Sequence, residues 1–128
     1  SRMLKCGADI WLNNPVVTRE ASGTSGMTAA MNAAVNLSTY DGWICEFARD
    51  EHNAFIVTPP DPELPAAARD EYDRRAILEI LEKQAIPMYY QQPDKWSELT
   101  MNSMNDVVPF FDSDRMADEY YAKIYSDA

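Results

Sequence analysis

The run Glu20-Ala21-Ser22-Gly23-Thr24-Ser25-Gly26-Met27-Thr28-Ala29-Ala30-Met31-Asn32 constrains this chain more than any other stretch. An apolar, strand-like segment precedes it, and small apolar residues at helix-forming density follow. A turn of Gly, Ser and Thr between such segments is a βα turn. Its glycines let the backbone approach a ligand closely. The helix that follows aims its free N–H groups and the positive end of its dipole at the same place. A carboxylate, Glu20, stands at the mouth of the turn. That set suits an anionic phosphate beside a polyhydroxy compound. The competing reading is a packing turn with an acid that stabilises a helix N-terminus.

The rest of the chain supplies the frame. Gly7 stops a helix that the chain is already in at Ser1. Ala8–Leu12 is a short strand ended by Asn13-Asn14-Pro15, and Val16–Ala21 is an extended connector. Thr24 or Ser25 caps a helix running to about Ala34. Val35–Thr39 is the next strand, with a turn at Asp41-Gly42. Strand, helix and strand at this spacing make a βαβ unit, and hence a parallel sheet. Phe55–Val57 is a third strand, and Thr58–Ala67 is a proline-rich connector.

Helices fill the remainder. One begins near Asp73 with Ile77, Leu78, Leu81 and Ala85 on one face, until Pro87 breaks or kinks it. Another starts at Pro93 and buries Trp96, Leu99, Ser103, Met104 and Val107. A last one starts near Ser113 and turns Met116, Ala117, Tyr120, Tyr121 and Ile124 inward. The expected fold is α/β: a partial Rossmann-like parallel sheet followed by C-terminal helices. Three strands fall short of the five or six of a full nucleotide-binding sheet. At 128 residues the chain is one domain at most. Residues 1–60 form the βαβ segment with the binding turn, and residues 61–128 an acidic helical segment of the same lobe.

Charge and composition exclude several classes. With 11 Lys and Arg against 21 Asp and Glu, the net charge is −10. Most of the excess acid lies beyond residue 60, on the solvated faces of helices. Nucleic-acid backbones need basic patches and are not expected partners. No stretch approaches the roughly 20 apolar residues of a membrane helix, and no signal peptide opens the chain, so a cytoplasmic location is expected. Cys6 and Cys45 form no ligand motif, and either can pack as a small hydrophobe. His52 sits alone in a charged turn. No metal cluster, serine triad or Cys/His pair is visible. Trp96, Tyr120 and Tyr121 lie at helical core spacing, whereas Trp43, just after a strand, is a candidate cleft residue.

The same run resembles the cofactor-lysine signature of the glycogen and α-glucan phosphorylases. Glu20, Ala21, Ser22, Gly23, Met27, Met31 and Asn32 match it, and Thr28 stands where the family has lysine. The resemblance extends through Gly7–Pro15 on one side. On the other it takes in Asn36-Leu37-Ser38, Asp41-Gly42-Trp43 with Glu46, and the tail Phe110–Ala117 with Tyr120-Tyr121. It implies the C-terminal lobe of a two-lobed GT-B glycosyltransferase that moves glucose between an α-1,4-glucan and phosphate. Glucose would be bound by Glu20, Ala21, Ser22 and Gly23. The phosphate of pyridoxal phosphate would be held at Thr24 and Ser25, beside Thr28.

A hydroxyl forms no imine, so no Schiff base is possible at Thr28, and no covalent pyridoxal adduct is expected on this segment. The nearest lysines in the sequence are Lys5 and Lys83. The basic residues that hold substrate phosphate in the family lie upstream of the matching segment, and Arg19 reads first as a surface or ion-paired residue. A threonine at position 28 suits a natural paralogue that has dropped the cofactor, an engineered change or a degenerate noncatalytic copy. Three functions therefore stand: an α-glucan phosphorylase-like segment with glucan, glucose 1-phosphate and phosphate as partners; a segment of a nucleotide-sugar glycogen or starch synthase-like enzyme; or a sugar-binding remnant. Alone, the segment is expected to be catalytically inert and to associate with itself or with the remainder of the GT-B chain.

Overall fold

The computed structural model describes residues 2–20 and 22–125. Three strands, β1 (Ile10–Asn13), β2 (Val35–Thr39) and β3 (Ala54–Val57), form a parallel sheet in the order β1-β2-β3. Among the described residues, seven helices accompany them: α1 (Arg2–Cys6), α2 (Thr24–Ala30), α3 (Ile44–Phe47), α4 (Ala66–Ile80), α5 (Ile86–Gln91), α6 (Pro93–Phe110) and α7 (Ser113–Tyr120). This is the α/β, partly Rossmann-like arrangement that the βαβ pattern implies. Among the described residues, no helix is long and apolar enough to cross a membrane.

Every residue of β2 is buried, as a central parallel strand covered on both faces must be. Side chains alternate along a strand, and the register places Leu37 beside Phe55 and Thr39 beside Val57. Val35, Leu37, Phe55 and Val57 therefore share one face, where Ile77 and Ile80 of α4 and Leu99 of α6 meet them. Ala54 and Ile56 point the other way, into a second cluster of Ala30, Trp43, Ile44, Phe47 and Val107. Helix α6 thus contributes to the cores on both faces, Leu99 to one and Val107 to the other.

The outer edge of β3 is not left bare. Asp50 Oδ1 accepts the Ile56 N–H at 2.9 Å, and the Ala54 carbonyl accepts the Glu51 N–H at 2.9 Å. Occupied edge groups cannot template pairing with another strand. Asn53 is fully buried and fully used: its amide donates to the Phe47 carbonyl (3.0 Å) and to Asp106 (2.8 Å), and its oxygen accepts the Arg49 N–H (2.7 Å). Arg49 also pairs with Asp106, which fastens this loop to α6.

Several expectations are corrected. The helix expected from Asp73 starts at Ala66, directly after Pro65. Residues 66–70 are exposed apart from the half-buried Arg69 and carry no apolar period, so periodicity misses that turn. Pro87 does not end the helix. A π-helical turn, Leu81–Ala85, leads into α5 with Pro87 in its first turn, where the missing N–H costs least. The last helix begins at Ser113, capped by Asp112, but does not pack inward. Met116, Tyr120, Tyr121 and Ile124 are each at least half exposed. Trp43 is buried to 2% exposure against Phe47 and Phe111, as core and not as cleft wall. Cys6 and Cys45 are both exposed free thiols, so neither packs as a small hydrophobe.

The Asp106 cluster gives the fold a definite acid response. Burial pushes the Asp106 carboxyl up, but hydrogen bonds from Asn53 and Arg49, with the charges of Arg49 and His52, hold it below its ordinary value. A carboxyl depressed in the folded state stabilises the fold above its unfolded pKa, about 4, and loses that effect as pH falls through its folded value. Urea midpoints of the native chain should therefore drop further than those of Asp106→Asn between about pH 6 and about pH 3. Equal drops would show that Asp106 carries no such linkage.

Candidate functional site

The carboxyl ends of parallel strands form the crevice where open α/β sheets bind ligands. Here β1 ends at Asn13 and β2 at Thr39, in adjacent register positions. The loop after β1 contains Glu20 to Gly23, and the turn after β2 contains Asp41 and Gly42. The register brings these two segments together.

Hydrogen bonds then fix them. Asp41 Oδ2 accepts the amides of Arg19 (3.0 Å) and Glu20 (2.9 Å). The Ser22 carbonyl accepts the Trp43 N–H at 2.8 Å, and Thr39 Oγ1 donates to the Pro15 carbonyl at 2.8 Å. The connector over 16–20 is consequently not extended throughout. It turns at Val17–Thr18, closed by a bond from Arg19 N–H to the Val16 carbonyl at 2.9 Å, with Thr18 at φ 75°. That φ is costly for a β-branched residue, and the two amide bonds onto Asp41 hold it.

Two glycines shape the joint. Gly23 has φ 114° and is itself the residue that caps α2; no side chain caps this helix. Thr24 and Ser25, expected as caps, lie inside the first turn, and the helix ends at Ala30, four residues before the expected Ala34. Gly42 has φ 65°, and a Cβ there would lie 2.5 Å from the Ser22 carbonyl oxygen and 2.9 Å from Glu20 Cγ. A Cβ on Gly23 would lie 2.6 Å from the Trp43 ring and 3.6 Å from Glu20 Oε1. The half-buried Glu20 side chain thus occupies the space that these two glycines leave open. Gly26 acts similarly on the next turn of backbone. It allows Trp43 and Asn36 to close on α2, whose Gly26 carbonyl accepts the Asn36 amide at 3.2 Å.

Of the residues singled out in the sequence, Glu20, Ser22, Gly23, Thr24 and Ser25 lie together at this end of the sheet. Ala21 lies outside the described residues. Thr28 is one turn further along α2 and half-buried. Its hydroxyl lies 2.9 Å from the Thr24 carbonyl and 3.2 Å from that of Ser25. Sequence reasoning does not foresee two contacts. Asp41 reads there only as a turn residue, although it holds the Glu20 loop. Lys5 is distant in the sequence, yet its ammonium donates to Thr28 Oγ1. It also lies 5.7 Å from the Trp11 ring centroid. No spacing rule joins positions 23 residues apart, so only the packing of α1 on α2 reveals that contact.

Comparison with known proteins finds relatives along the whole chain. The chain is 38% identical to a maltodextrin phosphorylase of Thermococcus litoralis over its whole length, which is 15% of that protein. It is 38% identical to a glycogen phosphorylase of Aquifex aeolicus over 94% of its length, 18% of that protein. The chain is a homologue of the α-glucan phosphorylases. It is also 43% identical, over 98% of its length, to an uncharacterized protein of Methanocaldococcus jannaschii, of which it spans 23%. No family model matches the chain. It spans less than a quarter of the length of each of these relatives.

The glycine joint is directly testable. Gly42→Ala combines a positive φ with a Cβ inside contact distance of a carbonyl oxygen, and should destabilise the fold by about 1–3 kcal/mol. Gly7→Ala is the control, because its Cβ would meet nothing nearer than 3.6 Å. It should stay within about 0.5 kcal/mol of the native chain in urea titration. Equal effects of the two changes would remove the steric argument.

Proposed function

We propose that this chain forms the glucose- and phosphate-facing segment of an α-glucan phosphorylase-like glycosyltransferase. The parent transfers glucose between an α-1,4-glucan and phosphate, and the chain belongs to the C-terminal lobe of its GT-B architecture. The observation that carries the reading is the joint at the strand ends. There a carboxylate, Glu20, is held between two glycines by an amide-binding aspartate, in a chain homologous to phosphorylases throughout.

The chemistry follows from these groups. A carboxylate accepts strong hydrogen bonds from vicinal hydroxyls, and Asp41 fixes its position from the backbone side. Glucose at this joint would meet Glu20 and the backbone from Ala21 to Gly23. Thr24 and Ser25 offer hydroxyls for a phosphate at the start of α2. The same hydroxyls would suit the phosphate of pyridoxal phosphate, the cofactor that phosphorylase relatives imply. That cofactor, when bound, supplies a phosphate group that works on substrate phosphate. This chain's residues would bind and orient both partners and keep the sugar at the loop joint. The basic residues for substrate phosphate would come from the rest of the parent, so the chain by itself is expected to transfer no glucose, and its proposed partner is that remainder.

The parent should release glucose 1-phosphate from glucan in a phosphate-dependent, coupled assay. Glu20→Gln should weaken glucose binding by about 1–3 kcal/mol, measured by calorimetry on the full-length parent. Dependence on a nucleotide diphosphate glucose in place of phosphate would assign the parent to the synthase class. Unchanged affinity in Glu20→Gln would return that residue to a structural role.

A further inference from the structure

We infer that the groove between the turn at 16–18 and the start of α4 binds a phosphorylated sugar, with Arg19 and Arg69 for its phosphate and Asp70 and Asp73 for its hydroxyls. The choice of a sugar rests on the phosphorylase-like reading above. The groove is a site of its own, next to the joint at Glu20.

Its walls come from the segments that leave the carboxyl ends of β1 and β3. The loop after β1 supplies Val16, Val17 and Arg19, the segment after β3 supplies Pro60, and α4 supplies Ala66 and Arg69. This cavity of about 260 Å³ runs into a second of about 360 Å³, and the two share Val17, Pro60 and Arg69. Such volumes lie near the lower end of small-molecule sites, about 300–1,000 Å³. Pro59, Pro60 and Pro62 line the second cavity. Their fixed φ stiffens that wall, and their rings give the C–H face of a sugar an apolar surface.

The charges point to the ligand. In a chain with 21 acidic residues, most basic side chains are ion-paired. Arg19, Arg69, Lys5 and Lys95 form no ion pair among the described residues. Lys5 faces Thr28, and Lys95 lines a cavity with Glu51 and Glu98. Arg19 and Arg69 instead meet in one groove. Two guanidinium groups converging there suit a phosphate. No side chain caps α4, and its first residue, Ala66, lines the groove. The open amides and positive end of that helix favour an anion as well.

A bare anion, however, would also meet acids. Asp70 and Asp73 line the same groove. Burial and the charge of Asp70 push the Asp73 carboxyl up, and the charge of Arg69 pulls it down, so these groups act on one another in a shared space. Asp73 Oδ1 is buried with no hydrogen-bond partner among the described residues, which is costly unless something donates to the carboxyl. A ligand carrying hydroxyls beside its phosphate turns both acids from repelling groups into acceptors. A phosphorylated sugar has the phosphate, the hydroxyls and the apolar face together.

The test is calorimetry on the full-length parent, with glucose 6-phosphate, inorganic phosphate and glucose as separate probes. Glucose 6-phosphate should bind more tightly than either of the others. Arg19→Ala and Arg69→Ala should each weaken it by at least about tenfold. Urea midpoints check folding, and Arg69→Gln takes the place of Arg69→Ala where the shorter side chain lowers the midpoint. Asp70→Asn with Asp73→Asn should narrow the preference for glucose 6-phosphate over inorganic phosphate by at least about fivefold. Glu20→Gln should leave glucose 6-phosphate binding within about twofold, because the groove is not the glucose joint. Binding that survives both arginine changes, that is lost in Glu20→Gln instead, or that is no tighter than inorganic phosphate would overturn the inference. A parent that phosphorolyses glucan but shows no arginine-dependent binding would lose the groove and keep the proposed function. Arginine-dependent binding in a parent without phosphorolysis would keep the groove and lose the proposed function.

Discussion

One carboxylate oxygen, Asp41 Oδ2, holds the candidate site together. It accepts two consecutive amides, those of Arg19 and Glu20, from a loop that belongs to a different strand. Hydrogen bonds to a charged acceptor are worth more than neutral ones, roughly 1.5–3 kcal/mol each. Two of them together are comparable to or larger than the strain of Thr18 at φ 75°, about 1–3 kcal/mol. The position of Glu20, the closeness of Gly42 to the Ser22 carbonyl and the bond from Trp43 to Ser22 all follow from this anchor. The anchor in turn depends on the sheet. Parallel pairing of β1 with β2, in register from Ile10 opposite Val35 to Asn13 opposite Ser38, is what sets the two loops side by side.

The elements that were legible in the sequence are those with two buried faces. Strand β2 spans Val35–Thr39 as its composition implies, because a central strand is apolar or small throughout and is bounded by turn residues. Helix α6 begins at Pro93 and buries Leu99, Ser103 and Val107, because a long helix against a sheet repeats its apolar positions. Elements made by context escaped. Helix α3 is a single turn, Ile44–Phe47, formed because Trp43, Ile44 and Phe47 bury together. The first turns of α4 carry no apolar face at all, and Pro65 was the only sign of their start. In α7 the failure is of another kind. Its apolar stripe is real, but Met116, Tyr120, Tyr121 and Ile124 remain exposed. Periodicity tells which side of a helix is apolar and not what that side will meet.

The candidate site divides in the same way. Glu20, Ser22, Gly23, Thr24 and Ser25 lie within six consecutive positions, so a motif gathers them before any fold is considered, and the sheet sets them all at one end. Asp41 and Lys5 come from other elements, and no local pattern connects them to the run. Asp41 had a trace in the sequence, since an Asp-Gly pair after a strand marks a turn whose aspartate can bind backbone amides. Lys5 had none, because its contact depends on how α1 lies across α2.

Backbone and side chains contribute differently to this site. The loop shape rests on the positive φ of Gly23 and Gly42, on main-chain carbonyls and amides, and on a single acid. None of these groups touches residue 28. A hydroxyl at that position costs α2 little, because Thr28 Oγ1 can bond the Thr24 carbonyl one turn earlier, as threonines inside helices do. The side chain at position 28 therefore does not shape the joint of Glu20, Gly23 and Gly42. Helix α1 nonetheless reaches position 28, where the Lys5 ammonium donates to the Thr28 hydroxyl. A joint built from backbone groups and a single acid, set apart from position 28, is what lets the loop from Glu20 to Gly23 hold its shape whatever side chain that position carries.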